Sequence, residues 1–536
     1  LFLRPRRFGK SLLLSMLANY YDVALADKFE ELFGNLLISK NPTDSHNKYF
    51  ILELNFSCVD PMGSVDDIKR SLHNHINGCI DGFKLYYRDY SLPEIKIDPD
   101  NAIMSIKSLI SAIRMTPYPI YLLIDEYDNF ANKVMMGTLR ETSEYEALVY
   151  GDGLLKTLFK TIKASAGSSL FDRTFIIGVS PVVMSDITSG YNIAENIYLE
   201  SKFNDLCGFK EQEITNALKQ IADKCEISKD QVKEALEMMK AYYNGYSFSY
   251  GVQDYIYNPT LAIYFLKKFN ELCEYPRKML DSNFAADEAK MRYISGITKG
   301  RQMLIDLVTY DSTIAISELE DRFGIKQRLD DKSKDLIFMA SFLYYFGVLT
   351  MAGETPAGKL IFKIPNLVTQ KLYAERIRKM FLPDPGTRDD GMWAAEQLYE
   401  KADIKPLCEF VEQKYFKVFS NRDYRWANEL TVKTAFLTLL YNDILYIMDS
   451  EPEFDKQFAD LTMIIRPDMR RFQIFDVLLE FKFVSLKDAG LTGEQAKNLS
   501  RDQLEALPEM HTKMKEAQEG LKLYGETLEK NTKTCV

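Results

Sequence analysis

No stretch of this sequence approaches the ~20 consecutive apolar residues of a membrane-spanning helix, and no charged-then-apolar signal segment opens it, so the expectation is a soluble, intracellular protein. Cysteine pairs at metal or redox spacing are missing too. The seven cysteines (Cys58, Cys79, Cys207, Cys225, Cys273, Cys408, Cys535) are scattered, odd in number and never C-x-x-C. That argues against a disulfide framework or a zinc ribbon and for a reducing compartment. A basic excess is lacking: Lys and Arg number 67 against 77 Asp and Glu, for a net charge of −10. That argues against coating of nucleic acid by bulk electrostatics. Any such contact is local, with Arg4, Arg6, Arg7 and Lys10 or Arg466, Arg470 and Arg471 as the candidate clusters. The four histidines (His46, His73, His75, His511) form no H-x-x-x-H pair or triad, so metallohydrolase and serine-hydrolase chemistry has no support.

What is present is ordinary globular material. With 46% hydrophobic and 27% charged residues the chain is too apolar for wholesale disorder, and 536 residues suffice for three or four domains. Aromatics are spread as core and lid packing, without an RNA-recognition stacking motif. Short runs rich in strand formers, Tyr49–Phe56, Ile120–Asp125 and Arg173–Val179, are separated by helical stretches. They predict a parallel sheet with helices on both faces. Apolar spacing at i, i+3, i+4 and i+7 in Glu211–Ile221, and a second helix ending near Tyr246, predict a helical lid. The segments Tyr344–Thr350 and Lys359–Ile364 are expected to pair as a hairpin in a helical, winged-helix-like connector. Turn residues concentrate in Leu382–Gly391, the expected linker to a last domain.

Chemistry enters at the first residues. A Walker A loop, G-x-x-x-x-G-K-[ST], cradles phosphates with its amides, meets the β- and γ-phosphates with its lysine and binds Mg²⁺ with its hydroxyl. Gly9, Lys10 and Ser11 are present, while Arg4 stands where the first glycine belongs. The run Leu12–Tyr21 reads as a buried helix after such a loop. The loop begins at once, without room for the strand that should enter it, so a truncated N-terminus is expected. Tyr121-Leu-Leu-Ile-Asp125-Glu126 reads as a Walker B strand. There Asp125 would hold Mg²⁺ and Glu126 would orient the attacking water; a solvated strand end is the bland alternative. Ser180, after the strand Phe175–Val179, is either a γ-phosphate sensor or part of a Ser-Pro turn.

With Ile124-Asp-Glu-Tyr-Asp128, Gly178-Val-Ser-Pro181, Ser189-Gly-Tyr-Asn-Ile193, Phe203–Phe209, Tyr243-Asn-Gly-Tyr246 and Tyr257-Asn-Pro259, these motifs resemble the AAA-ATPase-like domain proteins. Those proteins commonly carry a C-terminal PD-(D/E)XK nuclease domain. The resemblance covers roughly residues 1 to 275. It implies ATP and Mg²⁺ as cofactors, with Arg7, Phe8, Gly9, Lys10, Ser11 and Ser180 around the nucleotide and Ser11 and Asp125 on the metal. Arg at the position of Arg4 is a habit of that family.

Near the C-terminus, Ala459–Ile465 and Ile474–Val484 read as two strands joined at Arg466–Asp468. Period-two alternation puts Asp476, Glu480 and Lys482 on one face, and Phe475, Val477, Leu479, Phe481 and Phe483 on a buried apolar one. Asp460 with Glu480-x-Lys482 is the core pattern of PD-(D/E)XK nucleases. Asp460 and Glu480 would hold Mg²⁺, and Lys482 would help position or activate the water that attacks phosphate. Asp476 is a competing ligand. Glu429, opening the helix to Leu440, is either an additional site glutamate or a favourable charge at a helix N-terminus. The late helix Lys513–Tyr524 also resembles the family, although Gly520 stands where glutamine is favoured, and the strand expected after it is missing.

The resulting expectation is an α/β protein in four parts. Residues 1–204 form a P-loop domain, 205–275 a lid, 276–390 a connector and 391–536 a PD-(D/E)XK-like domain with a truncated end. Its function is an ATPase coupled to a Mg²⁺-dependent nuclease acting on nucleic acid, DNA before RNA. A nucleotide-dependent switch or scaffold with a non-catalytic nuclease-like domain is the alternative. An arginine finger acting in trans, with Arg140 or Arg173 as candidate, would imply a homo-oligomer.

Overall fold

The computed structural model describes residues 1–60, 64–129, 154–166, 171–181, 194–251, 254–280, 288–309, 313–320, 335–416, 429–449, 453–454 and 457–533. Arg140 and the Ser189–Ile193 motif lie outside the described residues. The chain gathers into two compact units that interleave along the sequence. One comprises Leu1–Phe209, Tyr246–Thr260 and Ala315–Phe362; the other comprises Lys210–Gly245, Leu261–Ile314 and Lys363–Val536.

The first unit is built on a four-stranded parallel sheet of β1 (Phe2–Leu3), β2 (Phe50–Asn55), β3 (Ile120–Asp125) and β4 (Phe171–Gly178), in the order β1-β4-β3-β2. The entering strand, for which the sequence left no room, is thus present in two residues, Phe2 beside Ile177 and Leu3 beside Gly178. Every residue of β3 is buried, as expected of a parallel strand covered on both faces. Helices α1 (Lys10–Tyr21), α2 (Val65–Tyr86), α3 (Ala102–Ile113) and α4 (Leu154–Ala166) connect the strands. Right-handed crossovers put α1 on one face, because it leads outward to β2, and α2 to α4 on the other, because they lead back. The expectation that α1 is buried on nearly all sides is corrected. Leu14, Ala18 and Tyr20 face the core, whereas Leu12 and Met16 are exposed.

The expected hairpin is also shifted. Residues through Tyr345 belong to the helix Leu336–Tyr345, and the chain reverses at Gly347, whose φ of 76° no Cβ-bearing residue adopts cheaply. The strands that neighbour each other are Thr350–Glu354 and Leu360–Lys363.

In the second unit, helices Glu211–Cys225 and Lys229–Tyr243 appear as the periodicity predicts, the latter opened by a Ser228–Gln231 capping box. The Leu382–Gly391 stretch is not an open linker. Asp384 accepts from the Thr387 amide at 2.7 Å and Pro385 sits in the first turn, so these turn residues start the helix Pro385–Lys401. Cys225 and Cys273 form a disulfide with Cα atoms 5.6 Å apart, against the expectation of no disulfide pairing. The spacing of 48 residues concealed it.

Later in this unit, helix α5 (Glu429–Leu440) precedes an antiparallel sheet of β5 (Tyr446–Asp449), β6 (Leu461–Ile465) and β7 (Val477–Leu479), with β6 central. Leu461 lies opposite Leu479, and Met463 faces both Val477 and Met448. Ala435, Phe436, Leu439 and Leu440 of α5 join Met463, Ile465 and Val477 in one core. The apolar face read from alternation is only partly buried, because β7 spans Val477–Leu479 alone and leaves Phe475 before it and Phe483 after it exposed. Helix α6 (Pro508–Lys533) closes the described chain.

Candidate functional site

The phosphate loop runs from the end of β1 into α1, at the carboxyl ends of the parallel strands, where α/β sheets open their ligand crevices. Two left-handed residues shape it, Arg7 at φ 68° and Gly9 at φ 83°, with Gly9 as the N-cap of α1. That helix has no side-chain cap and no acidic residue in its first turn, so its positive end suits an anion. Lys10 is buried and donates from Nζ to the carbonyls of Arg4 and Pro5, both at 2.9 Å. Burial pushes its ammonium down to about 8, opposed by Asp128, Asp125 and Glu126.

Ser11 Oγ donates to Asp125 Oδ2 at 2.7 Å. Asp125 is 4% exposed, and its other oxygen, Oδ1, is buried without a hydrogen-bond partner. An orphaned carboxylate oxygen beside a hydroxyl is an oxygen donor pair that suits Mg²⁺. Among the described residues no three His, Cys, Asp or Glu side chains gather as a metal cage. A P-loop needs no such cage, since phosphate and water supply its remaining oxygens.

Glu126 follows in a left-handed conformation, φ 50°, a costly placement for a non-glycine residue. Burial raises its carboxyl above the usual range, Arg6 and Lys10 pull it down, and Asp125 and Asp128 push it up. Ser180 is buried, and its hydroxyl donates to Asp128 Oδ2 at 3.0 Å. Asp128 also accepts from the amides of Val179 and Ser180, tying the end of β4 to the segment after β3. Phe8 is buried edge-on against Tyr246 and Phe248, so only its backbone can serve a ligand. Arg173, a candidate for a finger acting in trans, lies at the opposite end of β4, its Nε donating to the Tyr49 hydroxyl.

In the second unit, Asp460 precedes β6 and Glu480 follows β7, and the pairing of those strands brings the two together. Asp460 Oδ2 accepts from the Phe481 amide at 2.7 Å, and Oδ1 lies 3.4 Å from Lys433 Nζ. Lys482 Nζ pairs with Glu480 Oε1, while Glu480 Oε2 is buried without a hydrogen-bond partner. Burial raises the Glu480 carboxyl, Lys482 lowers it and Asp460 raises it again. Asp476 is committed elsewhere, to the Ile465 amide and to Arg470. The Glu429 side chain lies outside the described residues. Arg466 is fully buried, its guanidinium held by Asp468 and by the carbonyls of Pro276, Arg277 and Asp443, which removes it from any basic patch.

Residues 1–188 match the model of the AAA-ATPase-like family, described as a predicted AAA-ATPase. That span holds β1 to β4, the phosphate loop and the Asp125–Glu126 pair, so family and geometry together indicate a nucleotide-binding ATPase-like domain. An uncharacterized protein from the vnfD 5′ region of Azotobacter chroococcum mcd 1 is 24% identical over 499 residues, 92% of this chain and 84% of that protein. No solved structure matches. The family match ends before the second unit's sheet, where the nuclease pattern rests on residues alone.

Arg4, Asp128 and Lys433 are buried polar residues whose placement the sequence does not announce. Arg4 does not face the crevice. It is 1% exposed, lies between the rings of Phe2 and Phe248 at 4.4 Å from each, and donates to the carbonyls of Leu3, Tyr198 and Phe203. Asp128 stood inside a quoted motif without a role. Lys433 carried one usable signal, a cation inside an otherwise apolar helix.

Proposed function

We propose that the first unit binds Mg²⁺–ATP and hydrolyses it, and that the second is a metal-dependent nuclease acting on DNA. The observation that carries the first half is the Ser11–Asp125 hydrogen bond beside the unpartnered Asp125 Oδ1. Ser11 and Asp125 would hold Mg²⁺, which supplies charge neutralisation between the phosphates. Lys10 exchanges the Arg4 and Pro5 carbonyls for phosphate oxygens, and the amides at Gly9–Ser11 line the phosphate chain. Glu126 orients the attacking water and takes its proton as the new O–P bond forms and the bond to the β-phosphate bridge breaks.

For the second half, support comes from the pairing of β6 with β7, which sets Asp460 beside Glu480-x-Lys482, and from the unpartnered Glu480 Oε2. Asp460 and Glu480 would hold Mg²⁺, which lowers the pKa of bound water and polarises the phosphodiester. Lys482 steadies Glu480 and orients the attacking water.

The test uses the full chain. ATP turnover is expected and Lys10→Ala abolishes it, whereas Glu126→Gln keeps ATP binding and loses turnover. Mg²⁺- or Mn²⁺-dependent nicking of supercoiled DNA is expected, and Lys482→Ala abolishes it. Turnover of ATP with no cleavage under either metal, with or without ATP, would replace the nuclease by the switch reading, in which the second unit only binds a partner.

A further inference from the structure

The second-unit site holds more cation than its reading requires. Lys433 comes from α5 and is 2% exposed, although its neighbours Ala435, Phe436 and Leu437 are core residues. A buried lysine is retained at a desolvation cost that a leucine would avoid. Its Nζ stands 3.4 Å from Asp460 Oδ1, and the Phe481 amide occupies the other oxygen of that carboxylate. Lys482 occupies Glu480 Oε1. Among the described residues, two carboxylates are thus matched by two ammonium groups, and one buried acceptor, Glu480 Oε2, is left over.

Building on the nuclease reading, we infer that Lys433 is a positioning residue that holds Asp460 in the metal-free protein and makes divalent-cation loading conditional on an anionic phosphodiester. A divalent cation entering a neutral cluster meets two like charges and finds too few free oxygens, since hard cations of this kind take about six. A phosphodiester contributes both the missing negative charge and the missing oxygens. Because linkage is reciprocal, the phosphate that tightens the cation is itself bound more tightly by it.

Mn²⁺ binding to the full chain, read by the electron paramagnetic resonance of free Mn²⁺, tests this without relying on turnover. The Glu480→Gln variant, which deletes the site, supplies the baseline. A phosphorothioate duplex is expected to tighten Mn²⁺ binding at least about tenfold, and an uncharged methylphosphonate duplex is expected to leave it unchanged. Lys433→Met is expected to bind Mn²⁺ about tenfold more tightly than wild type without duplex and to lose most of the duplex effect. Lys433→Arg keeps the wild-type pattern. Should Lys433→Met fail to fold, Lys433→Gln and the two-duplex comparison on wild type decide the matter. Equal Mn²⁺ affinity with and without the anionic duplex, or no tightening in either neutral variant, overturns the inference. Duplex-dependent loading without any nicking would remove the nuclease reading and leave the role of Lys433 standing. Nicking with duplex-independent loading would do the reverse.

Discussion

Lys10 links burial to ligand affinity at the scale of one side chain. Its free ammonium is pushed to about 8, whereas an ordinary lysine stands at 10.5. Phosphate favours the charged form, so ATP binding restores the proton and raises the pKa. Affinity is therefore full below pH 8 and falls above it, by up to about tenfold per pH unit until the pKa of the complex is reached. The same depression gives the opposite sign for stability, which gains from this group as pH rises from 8 towards 10.5, where the folded chain has released a proton that the unfolded chain still holds. Titration of ATP binding between pH 7 and 9.5 checks the first sign, and a flat profile would refute it. Arg4 gives a second residue-scale prediction. Arg4→Gly restores the usual Walker glycine but strips the carbonyls of Tyr198 and Phe203 of their donor and opens the space between Phe2 and Phe248. A loss on the order of 3 kcal/mol in unfolding free energy is expected, with no gain in ATP turnover. Thermal melts beside turnover assays test both parts. The grouping of Gly9, Lys10 and Ser11 with Asp125 and Glu126 was legible as a loop-then-strand pattern, and the structure brings Ser11 to Asp125 and Lys10 near both carboxylates. The placement of Arg4 was not, because the acceptors that hold it beyond its neighbour Leu3 include carbonyls 194 and 199 residues away.

Among the elements, β2, β3 and β4 were legible from composition, since runs such as Ile-Tyr-Leu-Leu-Ile have little use except as a strand buried on both faces. Their order was not legible, because no local pattern tells β3 that β4, and not β1, lies beside it. The start of the helix Pro385–Lys401 was misread for a physical reason: Asp, Pro and Gly serve turns and helix N-caps alike. Where β4 meets the segment after β3, the packing is tight enough to be tested. A Cβ on Gly178 would lie 2.4 Å from Tyr127 Cε1 and 2.7 Å from Asp128 Oδ1. Gly178→Ala must therefore move Asp128, whose carboxylate holds the amides of Val179 and Ser180. A destabilisation of about 1–3 kcal/mol is expected together with weaker ATP binding. A denaturant midpoint equal to that of wild type would show that the strand ends yield more easily than this.

For the whole molecule, the interleaving of segments decides what can fold alone. Sequence patterns divide a chain into consecutive pieces, and residues 1–204 were expected on that basis to form the P-loop domain. The first unit instead draws on residues far downstream. Phe248 covers both Arg4 and Phe8, Tyr246 covers Phe8, Thr260 Oγ1 donates to the Arg7 carbonyl at 2.8 Å, and the Tyr344 hydroxyl donates to the Phe248 carbonyl. Gly347 comes so close to Pro5 that a Cβ there would lie 2.7 Å from the ring. A fragment of residues 1–204 keeps every motif residue of the proposed ATP site yet loses the floor beneath the loop, exposing Arg4 and Phe8. It is expected to lack a cooperative thermal transition and to bind ATP at least about tenfold more weakly than the full chain, because loop order would have to be recovered at the cost of binding energy. Calorimetry and ATP titration on the two proteins measure both quantities. A fragment that melts cooperatively and binds ATP as the full chain does would return the first domain to the boundary its sequence suggested. It would also make the contacts of Phe248 and Thr260 incidental to the nucleotide site.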